Sequence, residues 1–433
     1  LKTKIQLENI LSMSVKTILS NPGKSSGAVD LATFAPASGT QIQEALHPSA
    51  LTYSASPRTH VVVVGAGVFG GWTALHLLRK GLKVTLVDAW GPGNSRSSSG
   101  DETRVIRCIY GANDTYFRMT VRAFGQWQAF EKEAQKKLIY PTGTLWLMYE
   151  PSDETIEAAL PLLDANGLPY ERLSIKEATT RYPQISFEGL DHAFLEKHAG
   201  YLKARESCQA VVEVFVREGG TYVQQAAMAG AIAAQQLTQV RLADGSMLRA
   251  DAYVFAAGAW LGQLFPEVLG SVISSVRQEV YYFGTPAGHS SAFEALPVWV
   301  DWNLKDGIYY GIPGSTHRGF KIAFDRTHSD FFDPTDGERI IDPALLARAK
   351  EFLGQRFPLL KHAPLSESRV CQYPSTPDSN FLVDTHPEAR NLWIVGGGSG
   401  HGFKMGPALG EYVADLMLGR IPNIPLFGLS EYF

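Results

Sequence analysis

Three separated stretches of this chain hold residues whose types and spacing can do chemistry. The first is Gly65-Ala66-Gly67-Val68-Phe69-Gly70, with Asp88 following 18 residues after Gly70. Glycine at 65 permits a tight turn, at 67 it lets backbone approach a pyrophosphate, and at 70 it lets a helix pack on a strand. The helix start that follows offers free N–H groups and a positive dipole end to phosphates. A carboxylate at 88 can accept from a ribose hydroxyl. The second stretch, residues 89–107 (AWGPGNSRSSSGDETRVIR), is small and polar and carries Arg96, Arg104 and Arg107. A loop there lies at the carboxyl ends of the strands, where open α/β sheets bind ligands, and arginine forks suit phosphate or carboxylate. The third, residues 371–406, opens on Cys371 and runs through Gly396-Gly397-Gly398-Ser399-Gly400-His401-Gly402 to Lys404. Its glycines allow backbone N–H groups to approach a flat ligand, and its cysteine is a soft nucleophile.

These residues need elements to position them. His60 and four valines have no helical period and read as a strand buried on both faces, as in a parallel sheet. A helix over residues 70–80 is stopped by Gly81, and a strand over 83–88 completes a βαβ start. Residues 115–137 have the period of a long amphipathic helix. A strand over 140–148 begins a different region, with helices over 153–166, 175–182 and 199–218. Strands follow over 221–225, and over 237–242 and 246–249 as a hairpin across Asp244-Gly245. The buried run 252–260, ending in Gly258, adds a further layer to the dinucleotide site, a piece that a nicotinamide dehydrogenase does not need. Short strands over 276–283, 297–300, 307–312 and 319–324 imply a mostly antiparallel sheet, a common wall over a cofactor. A helix over 343–353, strands over 369–373 and 392–395, and a helix over 406–418 close the chain. The fold class is α/β in two parts (α+β overall). A Rossmann-like dinucleotide-binding domain from residues 58–139, 196–272 and 369–433 interleaves with a substrate domain from 140–195 and 273–368.

The chain has 433 residues, enough for two domains, and 45% hydrophobic content is ordinary for a globular protein. A formal charge of −4 argues against nucleic acid as a partner. No apolar run approaches the ~20 residues that span a bilayer. Three cysteines are too few for a disulfide framework or zinc site, and no metal is expected. Residues 5–20 have the spacing of a short amphipathic helix and residues 21–57 the composition of a linker. Together they read as a docking or oligomerisation arm, or as a plain terminal extension. No secretory signal is visible, which favours the cytoplasm, and the state is a monomer or small homo-oligomer. Trp299, Trp302, Tyr281, Tyr309 and Tyr310 could line a bulky pocket, although aromatics in strands more often build core.

Together the glycine fingerprint with Asp88, the arginine loop and the succession C-x-Y, T-P-D, D-x-H-P, G-x-S-G-H-G-F-K resemble the D-amino-acid-oxidase-like flavoproteins. The resemblance is to the branch of monomeric sarcosine oxidase, N-methyltryptophan oxidase and pipecolate oxidase, over about residues 58–433. It implies FAD, contacted by Gly65, Gly67, Val68, Phe69, Gly70, Asp88, Ala89, Ser98, Ser99, Arg104, Val223, Gly258, Trp260, Gly397, Gly398, Gly400, His401, Gly402 and Lys404. It also implies a covalent link from the flavin 8α-methyl to Cys371. Lys404 and Arg107 map to the substrate carboxylate, Arg104 to the flavin's side of the arginine loop, and Tyr373 and His401 to the catalytic surroundings. The implied reaction is oxidation of a carboxylate-bearing secondary or N-methyl amine to an imine by hydride transfer, with O2 giving H2O2.

The chain departs from the pattern twice. Serines 97–99 stand where sarcosine oxidases carry histidines before G-D-T-R. No lysine lies between Arg277 and Leu304, where the resemblance leads one to look for an oxygen-activating cation. On sequence alone this favours slow reoxidation, with Arg104 and then Lys321 as substitutes. It keeps open a dehydrogenase using another electron acceptor. A flavin-binding assembly subunit without turnover is the reading from a different class.

Overall fold

Branching at Cβ favours extended backbone, and Val61, Val62 and Val63 have no exposed surface. In the computed structural model, which describes residues 59–315, 318–326 and 331–433, they lie on the strand His60–Val64 inside a six-stranded sheet. That strand pairs in parallel with Lys83–Val87 on one side and Ala252–Phe255 on the other. Thr221–Val223 and Ala389–Gly396 extend the parallel array outward, and Leu382–His386 closes one edge antiparallel. The helix and linker expected over residues 5–57 lie outside the described residues.

The turn after the first strand is fixed by sterics. Gly65 adopts φ +107°, and a Cβ there would lie 2.4 Å from the Ala256 carbonyl oxygen. A Cβ on Gly70 would lie 1.8 Å from the Gly65 carbonyl oxygen, so the helix Val68–Arg79 seats on the turn only with glycine at 70. Gly70→Ala is therefore expected to cost about 1–3 kcal/mol through overpacking. A thermal unfolding midpoint equal to that of the unmodified protein would refute this. The helix Gly406–Met417 approaches the same helix closely, because a Cβ on Gly410 would lie 2.6 Å from Trp72 backbone.

The second large sheet has eight strands. Its order is Leu365–Ser375, Ser274–Phe283, Gly319–Phe324, Tyr309–Ser315, Val298–Trp302, Thr144–Met148, His192–Glu196, Tyr170–Ser174. Every pairing is antiparallel except that of Val298–Trp302 with Thr144–Met148. Strand alternation sorts its side chains. Phe320 and Ile322 point into a core with Leu353 and Phe357 of the following segment. Lys321, opposite Tyr282 in the register, takes the other face. Cys371, opposite Gln278, takes that same face. Trp299 and Tyr281 are buried core, and Tyr309 stacks on Phe352 with centroids 4.0 Å apart.

A three-stranded sheet of Thr103–Ile106, Gly200–Lys203 and Ile139–Tyr140 joins the two halves. It corrects two expectations. The polar loop over 89–107 ends in a strand, and the helix expected from residue 199 begins only at Ala204. Gly200, at φ +155° and with no room for a Cβ beside the Tyr140 carbonyl, takes an extended path that pairing stabilises over helical propensity. The strand expected over 252–260 stops at Phe255, and Gly258–Trp260 is a 3-10 turn. Among the described residues no helix is long and apolar enough to cross a membrane, and no His/Cys/Asp/Glu group is placed to hold a metal.

Candidate active site

A cavity of ≈ 280 Å³ opens at the carboxyl ends of the parallel strands. Gly65, Gly67, Val68, Phe69, Asp88, Ala89, Ser98, Ser99, Arg104, Gly258, Trp260, Tyr373, Gly398, Gly400 and Gly402 line it. Gly70 instead seats the helix on the turn. Gly397, at φ +64°, shapes the turn after the strand Ala389–Gly396. Val223 accepts the Asp88 N–H at 3.1 Å. Asp88 Oδ2 accepts Ala66 N–H at 2.8 Å, and its Oδ1 accepts Trp90 and Gly91 N–H. The acid thus ties the glycine turn to the second strand, and burial pushes its carboxyl up against those three donors. Val68 N–H donates to Ser99 Oγ at 3.2 Å.

These residues fit a dinucleotide such as FAD. The Ser98 hydroxyl is buried with no partner although it faces the cavity. The N-cap Gly67 of Val68–Arg79 has no side chain to cap with, and Ser99 takes only the Val68 N–H, which leaves those of Phe69 and Gly70 for an anion.

Arg104, in the cavity lining, fronts a buried charged cluster. Arg104 donates to Asp101 Oδ2 at 2.7 Å and to the Ser98 carbonyl at 2.6 Å, and stands 3.5 Å from Cys371 Sγ. Lys321 Nζ donates to the same Asp101 oxygen and to the Thr103 carbonyl. Tyr282 completes Asp101 with a hydroxyl donation at 2.8 Å. Burial alone would raise Asp101, but Lys321 and Arg104 outweigh it and hold the carboxyl well below the carboxylate range. Burial lowers Lys321, opposed by Asp101. Tyr373, two residues from Cys371 on the strand, exchanges a hydroxyl bond with Tyr310 at 3.1 Å.

A second cluster follows the glycine turn. Lys404 Nζ donates to Tyr110 Oη and to the His401 carbonyl, each at 2.6 Å. His401 Nε2 lies 2.8 Å from the Ser379 carbonyl, which only accepts, so the proton is on Nε2 and Nδ1 accepts the Tyr110 hydroxyl at 3.2 Å. The four groups form one directed chain. Burial, then the Lys404 charge, push the His401 imidazole down to about 3, so it is neutral. Arg107 lies over the Tyr110 ring at 4.7 Å and the Trp146 ring at 5.3 Å. Burial, then Arg107, lower the Lys404 ammonium well below its ordinary range. Two cations from distant sequence positions thus meet at Tyr110 with no carboxylate bonded to either among the described residues.

Sequence reasoning missed Asp101, Tyr110 and Glu196 in this region. Asp101 had a signal, since a carboxylate three residues before Arg104 forms an ion pair with it. Cavity residues such as Gln225, Met228 and Ala257 are chemically plain and gave none.

Residues 60–416 match the family model described as FAD dependent oxidoreductase. Monomeric sarcosine oxidase of Bacillus sp. (strain NS-129) is 30% identical over 382 residues, covering 86% of this chain and 96% of that protein. N-methyl-L-tryptophan oxidase of Salmonella heidelberg is 26% identical over 384 residues, covering 86% and 98%. Fructosamine oxidase of Aspergillus fumigatus (Amadoriase II), in complex with FSA, superposes with a TM-score of 0.74 at 23% identity over 88% of this chain and 91% of that one.

Proposed function

The chain belongs to the FAD-dependent oxidoreductase family and is a sarcosine oxidase-like amine oxidoreductase acting on a CH–NH bond, and on that premise we propose that its substrate is a secondary or N-methyl amine bearing a carboxylate, with O2 as electron acceptor and H2O2 as product. The observation that carries this reading is the meeting of Arg107 and Lys404 at Tyr110 with no carboxylate bonded to either among the described residues. Bound FAD supplies the hydride acceptor. Residues of the chain bind, orient and set charge. Arg107 offers a planar fork and Lys404 a point charge, so together they fix a carboxylate in position and direction. Tyr110 and neutral His401 hold the Lys404 ammonium in place through one chain of hydrogen bonds. The same cations disfavour a third positive charge nearby, which drives the substrate ammonium toward the neutral amine that can release hydride.

The same reading assigns residues 58–139, 196–272 and 369–433 to cofactor binding and residues 140–195 and 273–368 to the substrate side. It also makes Cys371 the attachment point of the flavin.

Arg107→Met and Lys404→Met are each expected to lower kcat/KM on an amino-acid substrate. Losing a charged hydrogen bond to a carboxylate costs ~1.5–3 kcal/mol, roughly 10- to 100-fold in kcat/KM. Unchanged kinetics in both variants would sink the clamp. The function itself is tested by anaerobic bleaching of the flavin with a panel of N-methyl and cyclic amino acids, followed by peroxide release in air. Bleaching with peroxide supports the oxidase. Turnover only with a dye acceptor would make the chain a dehydrogenase, and flavin that no amine bleaches would leave it without amine turnover.

A further inference from the structure

Glu196 stands behind the Arg107–Lys404 pair. It ends the strand His192–Glu196 and is 1% exposed. Its Oε1 accepts the Cys108 N–H, its Oε2 accepts Trp146 Nε1 at 3.3 Å, and the Ile109 N–H also bonds to it. The two residues directly after Arg107 therefore hang on this carboxylate, and its third partner is a ring that Arg107 lies over. Among the described residues Glu196 makes no ion pair. The groups facing it are Arg107, Cys108 and Tyr110 from the segment after the strand Thr103–Ile106, and Lys404 from the turn Phe403–Met405. Opposite it in the sheet are Thr144 and Tyr170, and Tyr170 is engaged by Asp164. This buried cluster thus holds two cations and one carboxylate, with no ion pair between them among the described residues.

We propose that Glu196 is the counter-charge of the substrate-carboxylate site and takes up a proton when a carboxylate binds to Arg107 and Lys404. The inference rests on the clamp reading above and adds a group that the reaction scheme does not use. Two carboxylates sharing one buried site cannot both stay ionised cheaply, so the arrival of the second raises the first. Glu196 is poised for this: burial pushes its carboxyl up to about 7, against the Cys108 N–H and Arg107. Below that pH the residue is already protonated and a carboxylate binds at full affinity with no proton exchange. Above it, binding must draw a proton from solvent, and affinity falls up to tenfold per pH unit until the raised value of the occupied site is reached. A zwitterionic amino acid that sheds its ammonium proton while Glu196 gains one leaves the charge of the pocket unchanged. Glu196 acts through Arg107 and Lys404, which makes it a positioning residue.

The test uses the flavin-loaded enzyme and carboxylates without an amine, acetate and 2-furoate. Calorimetry near pH 7.5, in two buffers of different ionisation enthalpy, is expected to show uptake of roughly half to three quarters of a proton per carboxylate bound. In Glu196→Gln, which keeps an oxygen for the Cys108 N–H, the uptake is expected to vanish and the affinity to stay flat from about pH 6.5 to 8.5. Uptake that persists in Glu196→Gln would assign the proton to Lys404 and overturn the proposal. Binding without uptake in the unmodified enzyme would overturn it while leaving the clamp standing. No binding of either carboxylate would remove the clamp and this inference with it. Should Glu196→Gln fail to fold, Trp146→Phe serves. It removes a donor that holds Glu196 ionised, so the fall in affinity must begin at higher pH, and an unmoved midpoint overturns the proposal.

Discussion

Cys371→Ala is expected to turn a flavin that stays with the precipitated protein into one released entirely to the supernatant. The sulfur lies on the face of the strand Leu365–Ser375 that also carries Tyr373, and it is 7% exposed beside the cavity. Arg104 Nη2 stands 3.5 Å from it, and Lys321 and Arg339 are both within electrostatic reach. A structural cysteine packs among apolar neighbours and is inert, whereas a reactive one sits among cations. The other two cysteines meet the inert description. Burial raises the Cys108 thiol, and burial pushes Cys208 up to about 12. If any sulfur of this chain bonds the ring, it is that of Cys371. The alanine variant keeps the glycine turn, Asp88 and the uncapped helix start, so it should still take up FAD reversibly. The measurement is acid precipitation followed by flavin absorbance in pellet and supernatant. Flavin recovered as free FAD from the unmodified protein would end the covalent assignment.

How much of this was legible in the sequence depends on whether a residue's role is local or imported. The glycine turn, the helix after it and Asp88 depend on neighbours within one βαβ unit, and their spacing alone located them. The cavity's second layer at Gly258 was likewise readable from a buried apolar run, although the strand ends earlier and turns. Glu196 was invisible for the opposite reason. Its strand, HAFLE, is too short to show a period, and its partners Cys108 and Trp146 are 88 and 50 residues away. The strand Gly200–Lys203 was read as helix because its pairing with Thr103–Ile106 crosses almost 100 residues, and long-range pairing overrides propensity. Lys321 lay between these extremes. A lysine inside Phe320-Lys321-Ile322-Ala323-Phe324 breaks an apolar strand, and alternation alone puts it opposite the phenylalanines. What alternation cannot tell is that the face it takes is the one carrying Cys371.

Lys321→Met is expected to slow reoxidation of the substrate-reduced enzyme by O2 by roughly 10²- to 10³-fold, the cost of removing one preorganised charge from a reacting oxygen. Negative charge grows on O2 as it is reduced, and a fixed cation stabilises that charge without reorganisation. The ammonium is wholly enclosed, donating to Asp101 and to the Thr103 carbonyl, and cannot swing away. Asp101 does not cancel it. Arg104 shares the same carboxylate, so the cluster holds two cations and one anion, a net positive charge beside Cys371. The expected slowing would give Lys321, ahead of Arg104, the part that no lysine between Arg277 and Leu304 can take. Methionine matches the length of lysine and removes only charge and donors. Asp101 keeps Arg104 and Tyr282, so the variant should fold. The substrate clamp proposed at Arg107 and Lys404 shares no hydrogen bond with this cluster among the described residues, and anaerobic flavin reduction should change far less than reoxidation. Stopped-flow mixing of reduced enzyme with oxygenated buffer measures the second-order step directly. A rate unchanged in Lys321→Met but lost in Arg104→Met would move the role to the guanidinium. A rate already slow in the unmodified enzyme, with fast turnover on a dye, would show that this charge serves another acceptor and that the chain works as a dehydrogenase.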